Sequence, residues 1–318
     1  MATAGSRRPG SSPATFQSTP EYDAFGPWVL PVTTAEEIPP LFRAAGVDLG
    51  AADVVVKVPR PISRRDATPS MDLYDHLLVV DHQGLTVLTR ADRAFRTRTV
   101  PADQVLGIQD SVNLLDGRLT VFPTGPQGPV TVTYSGASQD VVARLVAALR
   151  ALYRPYLATG APAELQTRPA VGLGALADDQ ALVGMYHELA RDEPDLRVLA
   201  AHPRQVLVPK GEGPQAALSR ALHLAWPATL HAALVCADGP ELQVLHRRRW
   251  LTRGSAPTHS VARTILPFAR VGAVRVADHD RYHGVRVVTV ELGSARLDLP
   301  VPAGSGTEQV LTAALGTR

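Results

Sequence analysis

Apolar and polar residues alternate in Leu85-Thr-Val-Leu-Thr, Arg118-Leu-Thr-Val-Phe and Val130-Thr-Val-Thr-Tyr. A period of two places one face of a strand in a core and the other in water. The β-branched run 53–58 and the apolar run 77–81 read as further strands, with turn residues in DHQG (81–84). Shorter strands are expected at 98–100 and 105–108, and an Arg-rich connection at 91–97. Asp116-Gly117 and the Gly- and Pro-rich stretch 124–129 supply reversals. The period then changes. Val142, Leu145, Leu149 and Leu152 recur at three- and four-residue steps, which predicts a helix with one apolar face. Ser138 is its expected N-cap, with Asp140 in the first turn.

The same order recurs from residue 229. Strands are expected at 233–237 and 242–246 around the turn ADGPE (237–241), followed by an Arg-rich connection at 247–256. Further strands are expected at 260–266, 271–276, 285–292 and 296–301, then a helix near Thr307. Ser305 and Glu308 have the spacing of a capping box. Between the two runs, 155–177 is rich in Pro, Ala and Gly and reads as a linker. A helix from Asp179 to about Arg191 follows, stopped by Pro194, and 206–208 is the expected first strand of the second run. Alternation fails across 211–226. Ahead of everything, 1–20 has the Ser, Pro and Gly content of a disordered tail. Trp28 anchors an extended segment at 22–32, and Pro39 or Pro40 with Gly46 brackets a short helix.

Composition narrows the classes. With 318 residues there is room for two cores, and 45% hydrophobic with 19% charged residues is ordinary for a globular protein. A net charge of +2 is too small to argue for wholesale nucleic-acid binding. One cysteine, Cys236, excludes an intramolecular disulfide. No 18-residue apolar window is present, and the N-terminus lacks the apolar core of a secretory signal. The expected location is the cytoplasm, with peripheral membrane contact as the alternative.

Candidate chemistry concentrates in arginines. The first run has Arg90, Arg93, Arg96 and Arg98 around Phe95; the second has Arg247, Arg248, Arg249 and Arg253 around Trp250. Guanidiniums beside one aromatic can engage anionic groups while the ring enters an interface. The competing reading is a solvated strand surface that blocks edge pairing. The long polar stretch 59–72 adds Arg60, Arg64 and Arg65, and loops of that length are often functional. Asp278, His279, Asp280 and His283 suit a divalent metal in residue type but match no ligand template, so a hairpin tip is the simpler reading. Gly172, Gly174 and Ala177 match a dinucleotide fingerprint without the strand and helix its physics requires. Cys236 reads as a small buried hydrophobe. No catalytic residue, metal or cofactor is expected.

Antiparallel strands with short reversals and a terminal helix imply an α+β class. Over roughly 50–155 and 200–318 the element order resembles the bacterial pleckstrin-homology-like (PH-like) domains, used twice. That resemblance implies modules at 21–155 and 200–318, joined by a linker at 156–199. Each would be a bent antiparallel sheet or partly open barrel closed by its C-terminal helix, without one sheet running through both. It also implies a non-catalytic interaction or scaffold protein that acts through a protein partner or self-association. The alternative is a binder of anionic lipid or another anionic ligand through the Arg-rich loops, with an anionic membrane surface as partner. A metal-dependent enzyme is the outsider.

Overall fold

The computed structural model describes residues 18–157, 161–211, 226–254, 259–272 and 274–315. It is a mixed α+β structure of mostly antiparallel sheets, with no closed barrel among the described residues. Five strands in chain order form the first sheet: β1 (Leu30–Pro31), β2 (Ala52–Pro59), β3 (Tyr74–Asp81), β4 (Gly84–Ala91) and β5 (Ala94–Pro101). A second meander follows, of β6 (Val105–Asn113), β7 (Asp116–Pro123) and β8 (Val130–Ser135). After a one-turn helix α1 (Pro20–Ala24) near the start of the chain, α2 (Gln139–Tyr153) closes this half. Its buried Val142, Leu145, Val146 and Leu149 pack on the inner faces of the strands.

The middle of the chain carries α3 (Ala163–Gln166) and α4 (Gln180–Asp192). Asp179 caps α4 by accepting from the Leu182 N–H at 3.2 Å. The second half begins with β9 (Arg197–His202) and the two-residue strands β10 (Gln205–Val206) and β11 (Val208–Pro209). It continues with β12 (Ala228–Leu230), β13 (Ala233–Asp238), β14 (Glu241–His246), β15 (Leu251–Arg253) and β16 (Ser260–Pro267). Last come β17 (Val274–Asp278), β18 (Tyr282–His283), β19 (Val285–Leu292), β20 (Ala295–Pro302) and α5 (Gly306–Leu315). The residues β17, β19 and β20 form one antiparallel sheet, against which α5 sets Val310 and Leu311.

The two halves are joined by strand pairing. β6 lies antiparallel to β16 over six residue pairs, so one seven-stranded sheet runs β8-β7-β6-β16-β14-β13-β9. This corrects the expectation of self-contained sheets. A strand edge that would otherwise expose unpaired N–H and C=O groups finds its partner in the other half. The cores interlock at the seam: Ile265 belongs to the first core and Phe122 to the second.

Other expectations shift locally. The Arg-rich 91–97 is no loose connection but the tip and outgoing arm of the β4–β5 hairpin, with Asp92 at φ 54°. The β6–β7 reversal falls on Leu114-Leu115, and Asp116-Gly117 already belong to β7. β9 begins inside what was read as linker and crosses its expected end at residue 199; it pairs with β13 as the sheet edge. Ser138 makes no cap bond with α2; its Oγ accepts from the Val29 N–H at 2.9 Å and ties down the N-terminal segment instead. The capping box is met through a neighbour: the Glu308 N–H donates to Ser305 Oγ at 3.2 Å, and Glu308 accepts from Gly304 N–H. Most of the ambiguous stretch, 212–225, lies outside the described residues, as do 1–17 of the N-terminal tail.

Candidate functional site

Most of the arginines singled out by sequence are engaged within the fold. Arg90 Nε donates to Asp75 at 2.8 Å, and Arg60 approaches the same carboxylate at 3.9 Å while donating to the Asp72 carbonyl. Phe95 packs edge-on against Phe42, with centroids 5.9 Å apart. Arg98 donates to the carbonyls of Pro129 and Gly128. Arg64 covers the Tyr22 ring and donates to the Phe25 carbonyl. Arg65 is exposed beside Asp66.

The second cluster is similar. Arg247 pairs with Asp179 at 2.6 Å and Arg248 with Asp116 at 2.8 Å. Trp250 stacks on His246, centroids 4.3 Å apart, and lies near-parallel to His202 at 6.5 Å. Both aromatics are therefore packed, not presented to solvent. Arg93, Arg96, Arg249 and Arg253 remain exposed.

The histidines around Trp250 are neutral core groups. His246 Nδ1–H donates to the Arg247 carbonyl at 2.7 Å, which leaves Nε2 to accept from Thr264. His202 Nε2–H donates to the His231 carbonyl, and Nδ1 accepts from Thr307. Burial pushes both imidazoles down to about 4, because a desolvated ring resists protonation.

A second network lies where α2 meets the other half. Arg150 donates to Glu193 at 2.6 and 2.9 Å, to Glu241 at 2.7 Å and to Asp238 at 3.2 Å. Arg154 also holds Asp238, Tyr153 donates to Glu241 at 2.5 Å, and Arg263 pairs with Glu193. Three cations thus face three carboxylates, with Glu241 fully buried. Burial raises the Glu193 carboxyl, but the Arg150 bond and the charge of Arg263 outweigh it and hold Glu193 well below the usual carboxylate range.

A groove of about 460 Å3 opens against the start of the long polar stretch. One wall is Pro27, Pro59, Arg60, Pro61 and Ile62; the other is Leu115, Asp116, Thr133 and Tyr134, with Asp75 and His76 below. β3 supplies Asp75 and His76 from adjacent positions, and β8 supplies Thr133 and Tyr134. Gly117, directly across from Tyr134, makes room for its ring: a Cβ there would sit 2.5 Å from the ring carbons. Beside the groove stands the β6–β7 turn, where Leu114 is 65% and Leu115 72% exposed. Leu114 adopts φ 55°, a left-handed conformation that a branched apolar residue disfavours. Trp28, next to Pro27, is 52% exposed.

His76 hydrogen-bonds to Thr89 at 3.0 Å, and burial lowers its pKa. Cys236 is buried in β13, its thiol pushed up to about 12 by desolvation. Asp278 pairs with Arg286, and His279 lies 3.0 Å from Asp280. Among the described residues no group of three or more His, Cys, Asp or Glu side chains is placed to hold a metal. The segment containing Gly172 and Gly174 forms a single tight turn over Leu173–Leu176 without a preceding strand. No helix among the described residues is long and apolar enough to cross a membrane. Comparison with family models, curated proteins and solved structures found no match.

Sequence reasoning missed the Leu114-Leu115 tip, Tyr134 and the Arg150 network. The first left a trace, since two consecutive apolar residues interrupt a turn between Asn113 and Asp116. The network left none, because its bonded partners lie up to 91 residues apart.

Proposed function

We propose that this chain is a non-catalytic interaction protein that docks an extended apolar segment of a protein partner in the groove beside Leu115. The observation that carries the reading is the Leu114-Leu115 turn: two leucines held out of every core, one in a disfavoured backbone conformation, beside a concave surface walled by Pro27, Pro59 and Ile62. Exposed apolar surface rimmed by polar groups is characteristic of interaction sites, and Arg60, Asp75 and Asp116 supply such a rim. The turn's backbone is tied into the fold, the Leu114 N–H donating to the His259 carbonyl and the Leu115 carbonyl accepting from Gly136, so it is the two side chains that are left unengaged.

The tandem PH-like reading belongs to this proposal. It is supported by an order that recurs in outline: antiparallel strands, a single-turn corner, three more antiparallel strands and a closing helix in each half, with five strands opening the first half and β10, β11, β12 and β15 interleaved among β9, β13, β14 and β16 in the second. With β6 and β16 paired, the units act as one body, so the interaction reading rests on this surface and not on separable modules. The internal engagement of Arg90, Arg98, Arg247 and Arg248 weighs against the anionic-membrane alternative.

The test is a photo-crosslinking residue at Leu115, compared with one at exposed Glu164. Adducts specific to position 115 and lost in Leu114→Asp support the proposal, and a self-adduct identifies a second copy as the partner. Equal labelling at both positions overturns it. So does binding to anionic vesicles that disappears on replacing Arg93, Arg96, Arg249 and Arg253 by Ala.

A further inference from the structure

The longer described strands at sheet edges differ in one respect. β5 carries Arg96 and Arg98, β9 carries Arg197, β17 carries Arg275 and Asp278, and β20 carries Arg296 and Asp298. β8, Val-Thr-Val-Thr-Tyr-Ser over 130–135, carries no charged side chain, and its register against β7 runs without a bulge. Charges and bulges are the ordinary means by which a sheet edge is kept from pairing with another chain. β8 has neither, and it is the edge that lines the groove, through Thr133, Tyr134 and Ser135.

One bond sets the phase of its ladder. The Gly136 N–H donates to the Leu115 carbonyl at 2.8 Å, so Ser135 and Asp116, which stand opposite each other, are a pair without mutual backbone bonds. Bonded and unbonded pairs alternate along an antiparallel ladder. Val130, Val132 and Tyr134 therefore give their backbone groups to β7, whereas Thr131 and Thr133 turn theirs away from the sheet. No hydrogen bond meets those outward groups among the described residues. The strand is held firmly from behind: Tyr134 lies across Gly117, and its hydroxyl donates to Asp110 on β6 at 2.6 Å. Successive strand residues face opposite sides, so a groove lined by both Thr133 and Tyr134 runs along the edge and not over one face.

We infer that the partner segment in this groove adds to β8 as a further strand, an extended peptide that alternates apolar and acidic residues; the inference rests on the groove reading above. The outward groups of Thr131 and Thr133 supply the backbone pairing, and alternate side chains of the added strand supply the selection. One set faces Pro59 and Ile62, which calls for apolar residues. The other set lies on the solvent face beside Thr133. There Arg118 of β7 stands directly across from Thr133, exposed and outside every ion pair among the described residues. An acid in the added strand answers that guanidinium. A second copy of this chain fits less well, because it would bring another Arg118 in place of an acid and its own β8 lies in the same recess.

The test adds an acetylated octapeptide of alternating Val and Glu to the full chain at pH 7.5 and constant ionic strength, with the Val and Lys counterpart as control. Saturating Val-Glu peptide should slow amide exchange at Thr131 and Thr133 about tenfold, leaving Val130 and Val132 little changed. Thr133→Pro removes an outward N–H without touching the bonds to β7, and should weaken binding at least about tenfold. Thr133→Glu keeps the fold by pairing with Arg118 across the strands, and by claiming that arginine should weaken binding about threefold. Equal binding of the Val-Lys peptide overturns the acidic partner. Unslowed Thr131 and Thr133 amides at millimolar peptide, or affinity unchanged in both variants, overturns strand addition. A dimer in the ultracentrifuge that Thr133→Pro dissolves overturns the choice of partner. The groove reading is judged apart from this. Position-115 adducts that persist in Thr133→Pro leave the groove standing and overturn strand addition, whereas their absence from the parent protein overturns both.

Discussion

Replacing Arg150 with Met would remove the cation that joins α2 to the other half. The side chain is nearly isosteric in its stem, so the loss is chiefly electrostatic. Glu193 would keep Arg263 and the Gln243 amide; Asp238 would keep Arg154; Glu241 would keep Tyr153 and Arg154 at 3.4 Å. Three carboxylates would then face two guanidiniums in a dry setting. Removing one partner from a buried ion network costs about 3–5 kcal/mol, a large part of the roughly 5–15 kcal/mol that holds a domain folded. With a urea dependence of about 3 kcal/mol/M, the unfolding midpoint should drop by about 1–1.7 M. Arg150→Lys keeps the charge but loses the planar fork, and should fall between the two. Hydrogen exchange should localise the damage, with amides of the β13–β14 tip exposed before those of β2 and β3. A midpoint within about 0.3 M of the parent protein would refute the claim that this network clamps the halves together.

Three further outcomes follow. His202 and His246 have folded-state pKa values of about 4 against an ordinary 6.5, so their contribution is complete above pH 6.5 and is lost as pH falls toward 4. At pH 5 each should cost about 2 kcal/mol, measurable as a falling melting temperature whose slope lessens when His246 is replaced by Gln. For Asp110 the sign is opposite. Burial raises its carboxyl and lets the folded state hold the proton more tightly, so stability falls as pH rises from 3.8 to about 6. Asp110→Asn should therefore stabilise the protein at pH 7.5 by about 1–2 kcal/mol, and destabilisation in a denaturant titration would contradict the burial argument. Leu114→Asn, with φ near 55° tolerated by Asn, should raise stability by about 0.5–1 kcal/mol while weakening the Leu115 crosslink. A loss of stability would show that Leu114 serves the core after all.

Much of the architecture was legible from periodicity. Alternation located β4, β7 and β8, and three- and four-residue spacing located α2, because burying one face leaves a local imprint on the chain. The glycine of the 81–84 turn was equally legible: Gly84 adopts φ 139° with no space for a Cβ, which would lie 2.3 Å from the Val100 carbonyl. The arginines were legible as residues but not as roles. Whether Arg247 faces an anion in solution or Asp179 depends on a helix cap 68 residues away. Hairpin 91–97 was read as a connection because its outgoing arm exposes arginines and threonines, as an edge strand does when one face meets water.

Local composition alone determined that the chain builds antiparallel sheets closed by amphipathic helices, since each such element carries its own pattern of burial. Only the tertiary structure decided that β6 docks on β16, that Arg150 meets Glu241, and that β8 is left at an open edge. The strand pairing and the ion pair join residues 91 to 157 positions apart, where no periodicity reaches and only three-dimensional packing selects partners.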